Sequence, residues 1–316
     1  MSSTTTPAGP SDRTGLQATP VNLRGRSRPG EQVIRIVLLL AALLSVATTI
    51  GIVLALLRPA LDFFGDVPIS EFLGTTRWAP QEAAYGIWPL VSATFLITFI
   101  ALLLAVPVGL GAAAYLAEYA SPKTRRRLKP VLELLAGVPS VVYGFFALTF
   151  VTPTLLQKIL HIDVGFTSAL AAGLVLGVMI IPTIASLSED AMTAVPLALR
   201  QGSLAMGANR MQTTLRVVFP AALSGIAAAI VLGLSRAVGE TMIVTLAAGS
   251  RPNLSGDPRE GMEAMTAFIA ITAGGESPVG STSYNTLFAV GLMLFVITLL
   301  INIVSIALVR RFRQVY

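Results

Sequence analysis

Six long stretches without a charged side chain constrain this chain more than any other feature. They are Ile36–Leu57, Ala83–Ala117, Leu134–Gln157, Val164–Ser188, Val217–Ser235 and Ser277–Val309. About 20 residues of α-helix, at 1.5 Å per residue, cross a hydrocarbon layer about 30 Å thick. Backbone groups in lipid must be hydrogen-bonded within their own segment, which favours helices. The sequence therefore predicts an all-α membrane protein with six transmembrane helices.

The composition agrees with a lipid-facing surface. Of 316 residues, 54% are hydrophobic and 12% are charged, whereas a soluble domain carries about 25% charged residues. The net charge of +6 does not indicate nucleic-acid binding, because the arginines lie between apolar stretches, where membrane topology explains them. Cysteine is absent and His161 is the single histidine, which excludes disulfides, thiolate metal sites and a histidine-based metal cluster.

The order of these stretches predicts the domain organisation. Residues 1–30 are rich in Ser, Thr, Pro, Gly and Arg, so we expect a disordered cytoplasmic tail. Residues 31–316 are then one transmembrane domain. Its predicted spans cover residues 34–57, 88–117, 134–156, 166–188, 217–248 and 284–309, with a long cytoplasmic loop at 189–219.

The distribution of Lys and Arg predicts the orientation. With the N-terminus inside, sixteen of the 22 basic residues fall on the cytoplasmic side and five on the outer side. Cytoplasmic loops of membrane proteins carry this excess. We therefore expect a multi-pass protein of a bacterial cytoplasmic (inner) membrane with both termini in the cytoplasm. The outer segments are long, and Met265–Ala273 in the second is apolar enough for a short helix at the membrane surface. These segments could bind a soluble partner or merely connect spans.

Two charged residues interrupt the fifth span. Arg236 and Glu240 are four residues apart, which would place them on one face of a continuous helix, with Ser235 and Thr241 beside them. An ionised side chain at this depth costs at least about 2.5 kcal/mol, so such residues line a cavity, pair with each other, or do both. An anion or proton pathway and a purely structural ion pair are both compatible with this pattern. Arginine suits oxyanions because its donors form a planar fork.

The loop at 189–219 mixes small, apolar and charged residues at helical spacing. Pro196 is suited to the start of a short helix and Gly207 to its end. The sequence predicts a short amphipathic helix across the cytoplasmic mouth. Such a helix can fill a groove on a partner protein, or lie at the interface without one.

The same loop resembles the EAA motif of ABC importer permeases. Gln201-Gly202-Ser203 stand where the motif has Glu-Ala-Ala, Gly207 matches its glycine, and residues 217–220 (Val-Val-Phe-Pro) match its ending. The resemblance implies that this loop couples the chain to a partner ATPase. The residues it assigns to that contact are Arg200, Gln201, Gly202, Ser203, Gly207 and Pro220.

Other segments resemble the phosphate-specific permeases of that family, most closely the PstC subunits. They are residues 72–80, 117–119, 137–144 and 232–242, and the resemblance extends from about Glu31 to the C-terminus. It implies the MetI-like fold of type I importer permeases. It also implies a substrate pathway containing Arg236, Glu240, Ser235, Thr241 and Ser140, in which Glu240 offsets the charge of Arg236 so that phosphate is not held too tightly.

The resemblance further implies the partners. A PstA-like second permease would complete the pore, a PstB-like ATPase dimer would bind ATP and Mg, and a PstS-like extracytoplasmic protein would deliver phosphate. This chain has no Gly-x-x-x-x-Gly-Lys-[Ser/Thr] sequence, so we expect no cofactor in it and no enzymatic activity of its own. A sulfate or molybdate permease and a proton-coupled secondary transporter remain alternatives. An intramembrane enzyme fits least, since the spans contain no Ser/His or paired-Asp arrangement.

Overall fold

The structure is a computed structural model that describes residues 29–275, 278 and 280–311. The described residues fall into two units, which divide between Ile52 and Val53. The described part of the first unit is the beginning of helix α1, which spans Pro29–Asp66. The predicted disordered tail, residues 1–30, therefore lies outside the described residues except for Pro29 and Gly30, which begin α1.

The described chain is built from helices and one small hairpin. After α1 come α2 (Ile69–Gly74), α3 (Trp88–Ala114), α4 (Pro122–Ala136), α5 (Ser140–Phe146), α6 (Ala169–Thr193), α7 (Leu197–Ala205), α8 (Arg210–Thr213), α9 (Phe219–Val238), α10 (Met242–Ala247), α11 (Met265–Ala273) and α12 (Thr282–Arg311). Three π-helical segments extend α3 through Tyr115–Tyr119, extend α5 through Ala147–Ile159, and join α8 to α9 through Thr214–Val218. Strands β1 (Trp78–Ala79) and β2 (Ala84–Tyr85) pair antiparallel, with Trp78 opposite Tyr85, around a 3-10 turn at Pro80–Glu82.

Six helical segments of the described residues are long and apolar enough to cross a membrane. They are Gly30–Asp66, Trp88–Tyr119, Ser140–Ile159, Ala169–Thr193, Arg210–Val238 and Thr282–Ala307. The prediction of an all-α protein with six spans is confirmed.

Span three begins later than the predicted residue 134. Residues up to Ala136 belong to α4, and a helix resumes only at Ser140. Pro139 explains the break, because proline lacks the N–H that helix continuation needs and disfavours helical geometry in the residue before it. Helix α4 is therefore a separate element between two spans.

Helices α3 and α6 form the most extensive interhelical contact of the second unit. A Cβ added at Gly173 would lie 2.7 Å from the Ile100 Cβ, and one at Gly177 would lie 2.8 Å from the Ala101 carbonyl oxygen. These glycines allow the two helices to approach closely, as small residues do in membrane helix interfaces. Helix α6 also packs against α9, which makes it the centre of the second unit.

The two ends of this helical core differ in structure. One end, here the long-loop end, contains the starts of α3 and α6, the β-hairpin and residues 248–275. There, Phe63, Phe72 and Tyr85 form edge-to-face ring contacts, and Trp78 meets Phe268 at 5.0 Å between ring centroids. The other end, here the short-helix end, contains the last turns of α3 and α6 together with α4, α7 and α8.

Residues Met265–Ala273 form helix α11, as predicted. The helix does not lie at the membrane surface as predicted, because Met265, Thr266 and Phe268 are buried in the protein. The backbone N–H of Met265 donates to Thr94 Oγ1 of α3 at 3.0 Å. Burying the first half of α11 against α3 satisfies its backbone within the protein, so this segment is part of the core rather than of the interface.

Candidate functional site

The fifth span is discontinuous where its charged residues lie. The predicted span at 217–248 is two helices, because α9 ends at Val238 and α10 begins at Met242. Gly239 occupies the position after the last helical residue of α9, where glycine commonly ends helices. The carbonyl of Glu240 in the break accepts a 2.7 Å hydrogen bond from Thr266 Oγ1 of α11. Irregular backbone at membrane depth is thus supported by protein, as it must be.

Arg236 lies in the last turn of α9, with its side chain exposed. Its Nη1 donates to Thr183 Oγ1 of α6 at 3.3 Å. Thr183 is fourteen residues after the start of α6 and ten before its end, so it lies roughly 21 Å and 15 Å from the two ends at 1.5 Å per residue. The guanidinium of Arg236 therefore lies level with the middle of span four, which is α6. Charged residues at such a depth in a membrane are functional by default.

Glu240 does not pair with Arg236. Its Oε1 instead accepts hydrogen bonds from the backbone N–H groups of Met242 at 3.1 Å and Ile243 at 3.4 Å. In the part of the chain that the structure describes, no ion pair joins the two residues. The placement of both residues on one continuous helical face is wrong, and the pair, one of the arrangements left open, does not form, because the break at Gly239 ends the regular spacing and the first N–H groups of α10 need an acceptor. The carboxylate therefore caps α10.

The remaining residues of the predicted pathway are dispersed around this break. Ser235 Oγ donates to Asn302 Oδ1 of α12 at 2.9 Å, and Thr241 Oγ1 lies 3.4 Å from the Gly239 carbonyl. Ser140 is the first residue of α5 and, within the described chain, is not hydrogen-bonded to the other four. Sequence reasoning missed Asn302, although a lone amide in an apolar stretch is a usable signal, because polar groups at this depth need a partner.

The predicted short helix of the loop is α7. It begins after Pro196 and ends at Ala205, and Gly207 follows with φ at 88°, a left-handed conformation that glycine adopts without strain. Gln201 and Gly202 are exposed, as a docking surface requires. The predicted loop 189–219 is shorter in the structure, because α6 continues to Thr193 and a continuous helix already begins at Arg210.

Two further residues of the predicted contact are Ser203, which is half-buried, and Pro220, which is exposed. Ser203 Oγ hydrogen-bonds to Thr213 Oγ1 of α8 at 2.9 Å, which fixes α7 against the start of span five. Pro220 lies inside that span, directly after the π-helical segment Thr214–Val218. Proline removes a backbone donor, and a π-helical segment is one way in which a helix accommodates the loss.

Arg200 points into its own chain. Its Nη2 donates to the Met192 carbonyl of α6 at 2.6 Å and lies 3.2 Å from Glu118 Oε1 at the end of α3. Only 17% of the Arg200 side chain and 12% of the Glu118 side chain are exposed. Arg200 therefore ties α7 to two spans instead of extending toward a partner.

A second ionic cluster joins α4 to α6. The Glu189 side chain is fully buried and pairs with Arg125 and with Lys129, whose Nζ lies 2.8 Å from Glu189 Oε2 and 2.7 Å from Asp190 Oδ1. Hydrogen bonds to Asp190 and Glu189 raise the pKa of Lys129. A buried carboxylate requires such partners, since a charge left alone in the interior is strongly destabilising. The cluster fixes α4 beside the end of α6.

An open cleft of about 1050 Å³ lies at the long-loop end, lined by parts of residues 163–167 and 249–261. On its rim Arg259 hydrogen-bonds to Asp257 and lowers the pKa of that carboxyl to about 2. Next to this segment, Glu263 is only 5% exposed, and burial raises the pKa of its carboxyl to about 7. The cleft is polar and accessible, so it can contact a soluble molecule.

Comparison with known proteins shows the family of this chain. The sequence profile described as "Binding-protein-dependent transport system inner membrane component" matches residues 105–314. The chain is 38% identical over 272 residues to "Probable ABC transporter permease protein YqgH" of Bacillus subtilis (strain 168), covering 84% of this chain and 86% of that protein. It is 37% identical over 253 residues to "Phosphate transport system permease protein PstC 1" of Mycobacterium tuberculosis (strain ATCC 25618 / H37Rv), covering 73% and 74% of the two chains.

A solved structure shares the fold. The chain superposes with a TM-score of 0.62 at 17% identity on a chain from the structure titled "Crystal structure of a bacterial ABC transporter involved in the import of the acidic polysaccharide alginate". The match covers 91% of this chain and 100% of that chain. At this identity the likeness concerns the fold alone.

Proposed function

Because the chain belongs to the family of binding-protein-dependent transport system inner membrane components, we propose that it is a pore-forming permease subunit of an ATP-driven importer of inorganic phosphate. The position of Arg236 is the observation that supports phosphate as the substrate. Its side chain is exposed beside the break between α9 and α10, level with the middle of α6. Glu240 does not pair with it. A planar fork of donors at that depth suits a tetrahedral oxyanion.

The local structure suggests how phosphate passes without being trapped. Conduction needs binding that is favourable enough for entry and weak enough for release. Arg236 lies in the last turn of α9, where the carbonyl ends of a helix carry partial negative charge. That partial negative charge weakens the attraction of the guanidinium for phosphate. The family resemblance had implied this role for Glu240. Glu240 instead maintains the break that exposes Arg236.

The importer needs further chains. A homologous second permease completes the pore, an ATPase dimer binds ATP and Mg and docks on α7, and an extracytoplasmic protein delivers phosphate to the long-loop end. This chain has no nucleotide-binding loop of its own, so ATP hydrolysis takes place in the ATPase. The exposed Gln201 and Gly202 of α7 are the first candidates for that contact.

The orientation follows from charge. The short-helix end carries Lys123, Arg125, Arg126, Arg127, Lys129, Arg200, Arg210 and Arg216. Positive residues of short loops concentrate on the cytoplasmic side. The short-helix end therefore faces the cytoplasm, with both termini on that side, and the long-loop end faces outward.

The test replaces Arg236 in the assembled importer. Arg236→Gln should reduce phosphate uptake by at least roughly tenfold, because hydrogen bonds to a charged group contribute about 1.5–3 kcal/mol. Arg236→Lys keeps the charge without the fork and should give an intermediate rate. Uptake of labelled phosphate into proteoliposomes measures both.

Arg77→Gln is the matched control. It removes an exposed ion pair with Glu82 at the long-loop end, a kind of pair that contributes little, and should leave uptake unchanged. Normal uptake by Arg236→Gln would refute the anion role of Arg236. ATP-dependent uptake of labelled sulfate or molybdate by the wild type, without uptake of labelled phosphate, would assign the importer to another oxyanion.

A further inference from the structure

We propose that α4 and the groove beside it bind the headgroups of acidic phospholipids. The site requires only that the chain spans a bilayer, so it does not depend on which substrate the importer carries. It rests on three properties of this segment: an apolar strip that no described element of this chain covers, cations without an acidic partner among the described residues, and a cavity lined mainly by cations on its polar side.

Helix α4 is amphipathic, and it exposes its apolar residues. Leu128, Val131, Leu134 and Leu135 are 40%, 51%, 74% and 43% exposed, and no residue of α4 is buried. The face toward α6 contains instead Arg125 and Lys129, which pair with Glu189. A strip of this kind on a helix between two spans is typical of a helix lying in the membrane interface, with its apolar side toward the acyl chains.

The cations of α4 fall into two groups. Arg125 and Lys129 are neutralised by the Glu189 cluster. Lys123, Arg126 and Arg127 are exposed, and within the described residues no acidic side chain pairs with them. The uncompensated charge lies in the first half of α4 and the most exposed leucine in the second half. The first half of α4 is therefore suited to bind lipid headgroups, and the second half is suited to contact lipid acyl chains.

A cavity of about 500 Å³ separates α4 from the end of α3. Leu116 and Ala117 of the π-helical extension of α3 line its apolar side. The other side is lined by three cations, Arg126 and the paired Arg125 and Lys129, and by one carboxylate, Glu133. A phospholipid is complementary to this lining, because its phosphate is negatively charged and its acyl chains are apolar. Basic pockets between membrane helices on the cytoplasmic side bind anionic headgroups in this way.

The position of α4 favours lipid over a protein partner. The preceding span ends at Tyr119 and the following one begins at Ser140, so both ends of α4 lie at the depth where helices leave the hydrocarbon. Phospholipid headgroups occur at this depth, and an acidic headgroup compensates the three exposed cations. A zwitterionic headgroup has no net charge and does not.

The experiment uses the full chain in bilayers of phosphatidylcholine with a minority of phosphatidylglycerol. Electron paramagnetic resonance of spin-labelled lipids measures the preference of the protein for each headgroup. The wild-type chain should prefer phosphatidylglycerol, and 0.5 M salt should weaken that preference. The K123Q/R126Q/R127Q variant should lose at least about threefold in the preference.

Two variants control for fold and for net charge. K123R/R126K/R127K keeps the three charges and should keep the preference. R58Q/R77Q/K158Q removes three cations outside α4, at the other ends of the spans, and should also keep it. The proposal is overturned if K123Q/R126Q/R127Q binds phosphatidylglycerol as the wild type does, or if R58Q/R77Q/K158Q loses as much. A glutamine variant that keeps the lipid preference but no longer binds the ATPase would assign the face to that partner.

Discussion

At the scale of single residues, the charged side chains of span five have separate tasks. Glu240 accepts from two backbone N–H groups of α10, and Arg236 donates to Thr183 of α6. A helix that starts within a membrane needs acceptors for its first N–H groups, because water is absent there. The carboxylate therefore serves the backbone, and the guanidinium remains available to an anion.

Glu263 gives a prediction of pH dependence. Burial raises the pKa of its carboxyl from 4.5 to about 7, so the folded state favours the protonated form. The folded state loses stability as pH rises from 4.5 through 7, where the unfolded carboxyl already ionises freely. Glu263→Gln should therefore raise the apparent Tm of the detergent-solubilised chain at pH 8, and much less at pH 5.

The exposed Glu82 provides a comparison for that measurement. Glu82→Gln alters a carboxyl that is 62% exposed and should change the apparent Tm little at either pH. An equal rise in Tm at pH 8 and pH 5 for Glu263→Gln would contradict the assignment, because a packing effect does not titrate.

At the scale of elements, α7 is attached to several spans at once. Arg200 joins it to the ends of α3 and α6, and Ser203 joins it to α8. Helix continues from Arg210 to Val238, so it leads from this attachment to Arg236. In the proposed importer, movement of α7 by a docked ATPase would be transmitted to the helix that presents Arg236.

This attachment predicts an uncoupled variant. Arg200→Glu places like charges beside Glu118 and removes the bond to the Met192 carbonyl. In the reconstituted importer, phosphate transported per ATP hydrolysed should fall several-fold while hydrolysis continues. The Glu118→Arg/Arg200→Glu double variant should recover part of that ratio.

Arg77→Gln is the control for hydrolysis, because it alters only an exposed ion pair at the opposite end of the helical core from α7. If the ratio of transport to hydrolysis is the same in Arg200→Glu and wild type, Arg200 does not transmit motion. If the double variant fails to recover any of it, the loss reflects local disorder rather than the ion pair.

At the scale of the whole molecule, the two ends of the helical core have opposite characters. The short-helix end concentrates basic residues and two ionic clusters, and the long-loop end contains aromatic contacts and a polar cleft. This asymmetry matches a protein that meets an ATPase on one side of the membrane and a soluble binding protein on the other.

The orientation can be measured directly because the chain has no cysteine. Arg77→Cys at the long-loop end should react with a membrane-impermeant maleimide in intact spheroplasts. Lys123→Cys at the short-helix end should react only after permeabilisation. The reverse pattern would invert the proposed topology.

The sequence by itself determined the architecture. Six uncharged stretches required six spans, since a backbone in lipid has no alternative to helix, and Pro196 with Gly207 delimited α7 because their backbone preferences are local. The resemblance around residues 201–220 and 232–242 identified the family, and the profile match confirmed it.

Only the tertiary structure decided which groups satisfy one another. Spacing alone left open whether Arg236 and Glu240 pair, line a cavity or do both, and the break at Gly239, where Thr266 of α11 binds the Glu240 carbonyl, gives the two side chains different partners. Arg200 was predicted to face a partner, yet Glu118, 82 residues earlier in the chain, holds it inside. The contacts of Arg236 with Thr183 and of Arg200 with Glu118 join residues far apart in sequence, so packing determines them and local pattern does not.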